Sequence, residues 1–258
     1  MSRIFIAGDL HGGYHEDIQK LSLEKWPEQK QLSKEDYLIQ CGDFGYIWYH
    51  EKHPKYKKDQ QELKKLSEKN YTILFVDGNH ENHDMLETFP LIPMFGSYVQ
   101  EVYKGIYRLL RGHIYTINNK TFFIMGGAKS NDNQKEGNYS GIGRNKKLKL
   151  QKVWWEDEIP SKEEFELGMI NLSKYNYKVD YIVTHTCPKS VILDLYNKTG
   201  QINLDRLMDP VSIYLENVAN LIKFKEWHFG HHHQDQYIKN NYGDFYCHYN
   251  NKPMEILN

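Results

Sequence analysis

The chain has only three cysteines among its 258 residues, no long apolar run and almost no net charge. Cys41, Cys187 and Cys247 are odd in number and far apart, without a Cys-x-x-Cys pair, which argues against a disulfide framework and a thiolate zinc site. No stretch approaches the ~20 apolar residues of a membrane span, and the first apolar run is too short for a signal peptide. We therefore expect a cytoplasmic protein with no membrane partner.

The charge balance also excludes a general attraction to polyanions. Lys and Arg total 33 and Asp and Glu total 34, which gives a net charge of −1. No global field recruits nucleic acid, so the partner has to be identified from the residues of a site. A chain of this length buries a sizeable core, and α/β proteins of this size are routinely one domain. We predict a single domain over residues 1–258.

Apolar runs alternate with helical patterns in the first 80 residues. This alternation indicates parallel strands joined by right-handed crossovers, with helices on the faces of the sheet. The predicted order is a strand at Arg3–Ala7, a helix at His15–Trp26, a strand at Tyr37–Cys41, a helix at Lys55–Lys69 and a strand at Tyr71–Val76. The sequence therefore predicts the α/β class.

The second half of the chain adds hairpins, so we expect a mixed sheet or a second sheet. A helix is predicted after Ser161, which forms a capping-box pattern with Glu164. The other predicted elements are a hairpin of Ile114–Ile117 with Thr121–Met125, strands at Tyr181–Thr184 and Glu226–Phe229, a helix at Val211–Lys223 and a last hairpin of Gln236–Ile238 with Phe245–Tyr249.

Five of the predicted strands are followed directly by side chains that bind metals. The carboxyl ends of strands in α/β sheets converge on one crevice, so these side chains can meet although they are far apart in sequence. His231 and His233 would face one side of an extended segment and His232 the other. The candidates, in chain order, are Asp9, His11, Asp43, Asn79, His185, His231 and His233.

The candidate ligands are carboxylates, imidazoles and one amide, without a thiolate. This mixture suits Mn, Fe, Zn or Ni better than Ca or Cu(I). Seven ligands are too many for one ion, whereas two ions about 3.5–4 Å apart would use them all if one carboxylate bridges. Asp43 stands alone at its strand end and is the natural bridge. His80 is adjacent to Asn79 on the same turn, which leaves its imidazole free to act on a substrate.

The same motifs resemble, in order, the signature of the calcineurin-like metallophosphoesterase superfamily. The resemblance implies a four-layer αββα sandwich with two mixed β-sheets flanked by helices. Parts of the sequence further resemble a bacterial and phage subgroup of metallophosphoesterases. The signature motifs are Asp9-x-His11, Gly42-Asp43, Gly78-Asn79-His80-Glu81, His185 and Gly230-His231-x-His233, and the subgroup features are Gly42-Asp43-Phe44-Gly45 with Trp48, Gly126-Gly127-Ala128, Trp154-Trp155 and Thr184-His185-Thr186-Cys187-Pro188.

Carried over to this chain, the resemblance implies a role for each motif residue. One metal would be held by Asp9, His11, Asp43 and His233, and the other by Asp43, Asn79, His185 and His231. A hydroxide bridging the two ions would attack a phosphoester, and His80 would protonate the leaving-group oxygen. Asp43 and His80 are thus the expected catalytic residues.

The substrate is less constrained than the chemistry. We favour a phosphomonoester carried by a small molecule, a nucleotide or a phosphoprotein. The alternatives are a phosphodiesterase or nuclease, with nucleic acid not favoured, and a catalytically silent protein-binding module of the same fold. Protein phosphatases of the superfamily carry Gly-Asp-x-x-Asp-Arg-Gly, whereas Phe44-Gly45-Tyr46-Ile47-Trp48 follows Asp43 here, which argues against that branch.

A few residues are candidates for substrate contact. His232 would touch the substrate or face outward behind the ligands, the basic run at Arg144 would attract phosphate, and Trp154 or Trp155 would stack on a base. Arg144 belongs to a basic run up to Lys152, and such a run is more often a solvated loop, as such tryptophans are more often core residues. Arg108 and Arg111 qualify as phosphate clamps by residue type alone.

Overall fold

The computed structural model describes residues 2–130, 155–197 and 207–256. The strands within these ranges are β1 (Ile4–Ala7), β2 (Tyr37–Gln40), β3 (Thr72–Val76), β4 (Leu91–Met94), β5 (Ser97–Tyr103), β6 (Ile106–Leu109), β7 (Ile114–Ile117), β8 (Lys120–Met125), β9 (Tyr181–Thr184), β10 (Glu226–Phe229), β11 (Gln236–Lys239), β12 (Asp244–Cys247) and β13 (Met254–Glu255). The α-helices are α1 (Tyr56–Ser67), α2 (His83–Leu86), α3 (Lys162–Lys174), α4 (Lys189–Asn197) and α5 (Pro210–Ala219), and 3-10 helices cover His11–Leu21, Pro27–Gln31 and Glu156–Glu158.

These strands form two mixed sheets of similar design. The seven-stranded sheet has the order β13-β1-β2-β3-β6-β5-β4, and the six-stranded sheet has the order β11-β12-β10-β9-β8-β7. Four central strands run parallel in each sheet, and antiparallel strands flank them. The five strands whose ends carry the candidate ligands, β1, β2, β3, β9 and β10, all belong to these parallel groups. Their carboxyl ends therefore meet along one edge.

Three apolar clusters separate four layers. Side chains such as Ile6 and Leu74 from the first sheet meet Ile124 and Val183 from the second. On the outer face of the first sheet, α1 packs against its strands, and α3, α4 and α5 cover the outer face of the second. Each fully buried aliphatic or aromatic side chain contributes about 1.5–3 kcal/mol to folding. The expected αββα sandwich with two mixed sheets is confirmed.

The amino-terminal helix differs from the prediction. The sequence pattern predicts a helix at His15–Trp26, but a 3-10 helix begins four residues earlier and covers His11–Leu21. Gly12 and Gly13 have φ values of 60° and 77°, which only glycine adopts without cost. The left-handed backbone at Gly12 and Gly13 makes the chain turn directly after the Asp9-x-His11 motif. None of the helices in the described part of the chain combines the length and apolarity needed to span a membrane.

The strands β4, β5 and β6 were not predicted. Phe95 and Gly96 form a two-residue turn between β4 and β5, with φ values of 56° and 78°. Both values are positive, as in the type I′ turn that joins tight hairpins. Phe95 is an unusual residue at such a turn, which is why the sequence gives a weak signal there.

A buried ion-pair network links the first sheet to the helical segments that cover the second sheet. Asp77, which follows β3, accepts hydrogen bonds from Arg108 Nε at 3.1 Å and from Arg111 Nε at 2.7 Å. Arg111 also donates to the carbonyl of Asp157 at 2.7 Å and pairs with Glu164 of α3 at 3.3 Å. Burial acts to raise the pKa of Asp77, but the two guanidinium groups outweigh it and hold the pKa below its usual range. Both arginines are engaged here, so the structure contradicts their assignment as phosphate clamps.

We predict that Asp77→Ala lowers the free energy of unfolding by about 3–5 kcal/mol, because two guanidinium groups stay buried without their shared carboxylate. Urea unfolding followed by circular dichroism measures the change. Glu166→Ala is the matched control, since Glu166 pairs with Lys162 at 3.5 Å on the exposed face of α3 and should cost less than about 1 kcal/mol. A loss below about 1 kcal/mol for Asp77→Ala contradicts the prediction.

Candidate metal centre

The loops after β1 and β2 are locked together at the site. The backbone N–H groups of Leu10 and His11 donate to the carbonyl of Asp43 at 3.0 and 2.8 Å. His11 and Asp43 have φ values of 44° and 54°, a left-handed conformation that costs a non-glycine residue of order 1–3 kcal/mol. His231 and His233 share this conformation, with φ values of 62° and 51°. Strain of this kind concentrates at functional sites.

Asp9, His11 and His233 form one compact group. One ligand atom from each lies within 4.8 Å of the other two, so the three could hold a metal ion. His233 Nε2 is 3.4 Å from the carboxylate of Asp9. Asp9 is buried, whereas the side chain of His233 is 48% exposed. The group therefore opens to solvent on the side of His233.

A second group forms around the Oδ1 atom of Asp43. His185 Nε2 lies 3.3 Å from Asp43 Oδ1 and 3.0 Å from Asn79 Oδ1. The ring of His231 packs edge-on against that of His185 at a centroid distance of 4.9 Å. The opposite oxygen, Asp43 Oδ2, is 3.1 Å from His11 Nε2. Asp43 thus stands between the two groups, with one oxygen directed to each.

The imidazoles of His11 and His185 are each oriented by an acceptor behind them. His11 Nδ1 lies 2.7 Å from Asp17 Oδ2, and His185 Nδ1 lies 2.8 Å from the carbonyl of Cys41. A proton on Nδ1 leaves the Nε2 lone pair directed into the site, the arrangement of metal-binding histidines. Asp17 was not among the residues predicted from the sequence, because its position within the 3-10 helix gives no pattern that relates it to His11.

The electrostatics of the site favour cations. Burial acts to lower the pKa of His11, but hydrogen bonding and proximity to Asp43 outweigh it and raise the pKa to about 9. His185 responds in the same way, with its pKa raised to about 10 by Asp43 and Asp9 against the effect of burial. Burial would raise the pKa of Asp43, but the surrounding imidazoles hold it well below its usual range. The Asp43 carboxylate therefore stays ionised and attracts positive charge.

Glu81 holds the turn that follows Asp43 in place through hydrogen bonds. Its side chain is fully buried and accepts hydrogen bonds from the N–H groups of Phe44 at 2.6 Å and Gly45 at 3.0 Å. Burial and the nearby charge of Asp43 raise the pKa of Glu81 to about 8. A Cβ on Gly78 would lie 2.1 Å from Asp43 Oδ1, so only glycine allows this approach. Glu81 had no assigned role in the sequence analysis, and the structure gives it a positioning one.

His80 is placed differently from the candidate ligands. Its N–H donates to Asp43 Oδ1 at 2.7 Å, while its side chain is exposed. Its ring centre is 5.7 Å from that of His11. The imidazole therefore lies beside the site on the solvent side, where a substrate could reach it.

The remaining substrate candidates have different outcomes. His232 is buried, and its Nε2 lies 3.3 Å from Thr186 Oγ1 while its Nδ1 lies 3.4 Å from the Tyr196 hydroxyl. The extended segment assumed for residues 231–233 is wrong, since two of the three have positive φ. Arg144 and Trp154 lie outside the described residues, and substrate contact by these two and by His232 stays a prediction. Trp155 is buried against Trp48, so the structure contradicts stacking of a base on Trp155.

The family model described as calcineurin-like phosphoesterase matches residues 2–235, and no curated protein sequence matches the chain. Among solved structures, phosphopantetheinyl hydrolase from Mycobacterium tuberculosis is 12% identical, with a TM-score of 0.42 over 95% of this chain and 88% of that one.

Two further solved structures are also 12% identical and match over 95% of this chain, each with a TM-score of 0.47. They are GAP50, the anchor in the inner membrane complex of Plasmodium, covered over 70% of its length, and a putative 5′-nucleotidase from Staphylococcus aureus, covered over 48%. Similarity at this level carries no information about the substrate.

The family model covers the strands β1 to β10 and every candidate ligand, from Asp9 to His233. The matched residues therefore include all the carboxylates, imidazoles and the amide that lie at the strand ends. The chain belongs to the calcineurin-like phosphoesterase family and is a metal-dependent enzyme that hydrolyses phosphoesters.

Proposed function

We propose that the chain binds two divalent ions and hydrolyses phosphomonoesters. Asp9, His11, Asp43 and His233 hold the first ion, and Asp43, Asn79, His185 and His231 hold the second. The observation that carries the proposal is the position of Asp43, whose two carboxylate oxygens lie 3.1 Å from His11 and 3.3 Å from His185. A carboxylate that faces two ligand groups is the expected bridge of a two-metal site.

The donor set is consistent with first-row divalent metals. Oxygen and imidazole ligands without thiolate suit Mn, Fe, Zn or Ni. The outer acceptors Asp17 and the carbonyl of Cys41 keep the Nε2 atoms of His11 and His185 directed inward, which raises ligand basicity and fixes the rings. When bound, two such ions activate the attacking water and neutralise charge on the phosphoryl oxygens.

The protein residues supply positioning and proton transfer. Asp43 is held by Glu81 through the turn at Phe44 and Gly45, so its oxygens are fixed before substrate arrives. His80 is exposed beside this turn, and we assign it the transfer of a proton to the leaving-group oxygen. An imidazole serves in this role because its ordinary pKa lies near neutral pH.

A small phosphomonoester is favoured over nucleic acid by the charge of the chain. A net charge of −1 gives no general attraction to a polyanion. The basic run that would support a phosphodiesterase or nuclease begins at Arg144, outside the described residues. A nuclease therefore remains the second candidate, and substrate preference distinguishes the two.

We predict that Asp43→Asn weakens Mn²⁺ binding at least about 100-fold, since even outer-shell changes cost 10–100-fold in metal affinity. Both binding events should be affected, because the bridge serves both ions. Isothermal titration calorimetry measures this, and phosphatase activity should fall with it. Glu68→Gln, an exposed carboxylate on the surface, is the control and should match the wild type. Weakening of only one event would show that Asp43 does not bridge.

We predict that His80→Ala lowers kcat by about 10²–10⁴-fold for a substrate with a poor leaving group. The loss should be smaller for p-nitrophenyl phosphate than for phenyl phosphate, because p-nitrophenolate leaves without a proton. Mn²⁺ binding should stay unchanged. His113→Ala is the matched control, since His113 pairs with Ser97 at 2.6 Å. An equal loss on both substrates would contradict the role of proton donor.

We predict that kcat/KM for p-nitrophenyl phosphate exceeds that for bis(p-nitrophenyl) phosphate at least about tenfold, or about 1.4 kcal/mol of transition-state binding. The two substrates share a leaving group, so the ratio reports on the extra ester. Steady-state assays with Mn²⁺, Fe²⁺, Zn²⁺ and Ni²⁺ give the value. A tenfold preference for the diester would support the phosphodiesterase instead.

A further inference from the structure

Asn79 is the one amide among the proposed ligands, and the two ends of its side chain differ in chemistry. Its amide carries an oxygen that binds cations and an NH₂ group that does not. A rotation of the side chain by half a turn exchanges the two. A metal site that uses Asn79 therefore requires a neighbour that distinguishes the amide oxygen from the amide nitrogen.

That neighbour is Ser130, which follows the Gly126-Gly127-Ala128 motif. Asn79 Nδ2 donates to Ser130 Oγ at 3.0 Å. Ser130 Oγ donates in turn to Glu158 Oε2 at 2.7 Å, and the Ser130 N–H donates to Glu158 Oε1 at 2.9 Å. The far side of the amide, Asn79 Oδ1, faces His185 Nε2 at 3.0 Å.

The direction of these hydrogen bonds follows from the chemistry of the three groups. Both side-chain oxygens of Glu158 accept from Ser130, one from its N–H and the other from its hydroxyl, so the single hydroxyl hydrogen of Ser130 is directed to Glu158. Only a lone pair of Ser130 Oγ is then left toward Asn79. A reversed amide would place its oxygen against that lone pair at 3.0 Å, whereas the observed amide places N–H there. Glu158 thus determines which end of Asn79 enters the site.

Glu158 is itself firmly held. Its side chain is buried within the 3-10 helix at Glu156–Glu158, and its carbonyl accepts the N–H of Ala128 at 3.2 Å. The neighbouring carbonyl of Asp157 accepts from Arg111, the partner of Asp77. The residue that sets the direction of the hydrogen bonds from Asn79 through Ser130 to Glu158 is therefore itself held next to the buried ion-pair network.

We propose that Ser130 and Glu158 are positioning residues that set the amide of Asn79 for the second ion. This inference rests on the proposed two-ion function. Neither residue belongs to the five signature motifs, and neither reaches the reacting atoms. Their contribution is to the affinity of one metal position, because an outer-shell partner that orients a ligand is worth about 10–100-fold in binding.

The test is a calorimetric titration of the metal-free full chain with Mn²⁺ alone. Asn79→Ala identifies which of the two binding events depends on Asn79. Ser130→Ala should weaken that same event about 10–100-fold and leave the other unchanged. Ser130→Thr keeps the hydroxyl and should restore the affinity. Ser173→Ala, a serine exposed on α3, is the matched control and should bind as the wild type does.

Glu158→Gln separates polarity from packing. Glutamine keeps the size of the side chain but can donate to Ser130 Oγ, which frees the hydroxyl hydrogen to turn toward Asn79 and favours the reversed amide. We expect the event that depends on Asn79 to weaken while the melting temperature in the absence of metal stays close to that of the wild type.

The outcomes distinguish this inference from the function on which it rests. A wild-type chain that binds two Mn²⁺ ions, with unchanged affinities in Ser130→Ala and Glu158→Gln, overturns the inference alone. Equal weakening of both events also overturns it, since a general loss of structure would explain that result. A wild-type chain that binds fewer than two Mn²⁺ ions overturns the two-ion function itself, and the inference with it.

Discussion

The contacts of the Asp43 carboxylate determine how the two sheets present their strand ends. Its oxygens approach His11 from the first sheet and His185 from the second, and one also accepts the N–H of His80. Its backbone carbonyl accepts two N–H groups from the loop after β1. A buried carboxylate is costly unless charged or hydrogen-bonding partners surround it, so these partners are required for Asp43 to remain ionised. The same contacts hold the loops after β1, β2, β3 and β9 in fixed positions relative to one another.

Stability and site geometry are connected through one short stretch of chain. Asp77 is anchored by Arg108 and Arg111, and the next two residues are Gly78 and Asn79. The strand end therefore cannot shift without disturbing the ion pairs below it. Arg111 reaches on to the carbonyl of Asp157, next to Glu158. The same network therefore restrains Asn79 in two ways. It holds the backbone through the adjacent Asp77, and it holds the side chain through Glu158 and Ser130.

Sequence patterns predicted the parts of the site that local geometry determines. Asp9, Asn79 and His185 each follow an apolar strand, and strand ends converge in any parallel sheet, so their meeting could be predicted without knowing the packing. Asp17 and Ser130 could not, because their value depends on contacts with residues that no sequence period relates to them. The helix at His11–Leu21 was misplaced for a related reason, since glycine-rich turns permit several conformations. The family resemblance supplied the two-sheet sandwich, which the strand pattern alone left open.

The site concentrates features that disfavour the folded state. Left-handed backbone at His11 and Asp43 costs free energy, and buried carboxylates repel one another. Asp43 and Asp9 raise the pKa values of His11 and His185 against the effect of burial, so protons on these imidazoles would offset the charge. Under the proposed function a divalent cation would neutralise the same carboxylates but need the imidazole lone pairs, so protons and metal would compete and metal affinity would fall as the pH falls. Because a cation bound to the native state also stabilises that state by mass action, the strain retained in the ligand loops is compatible with a stable protein whose fold and metal content are coupled.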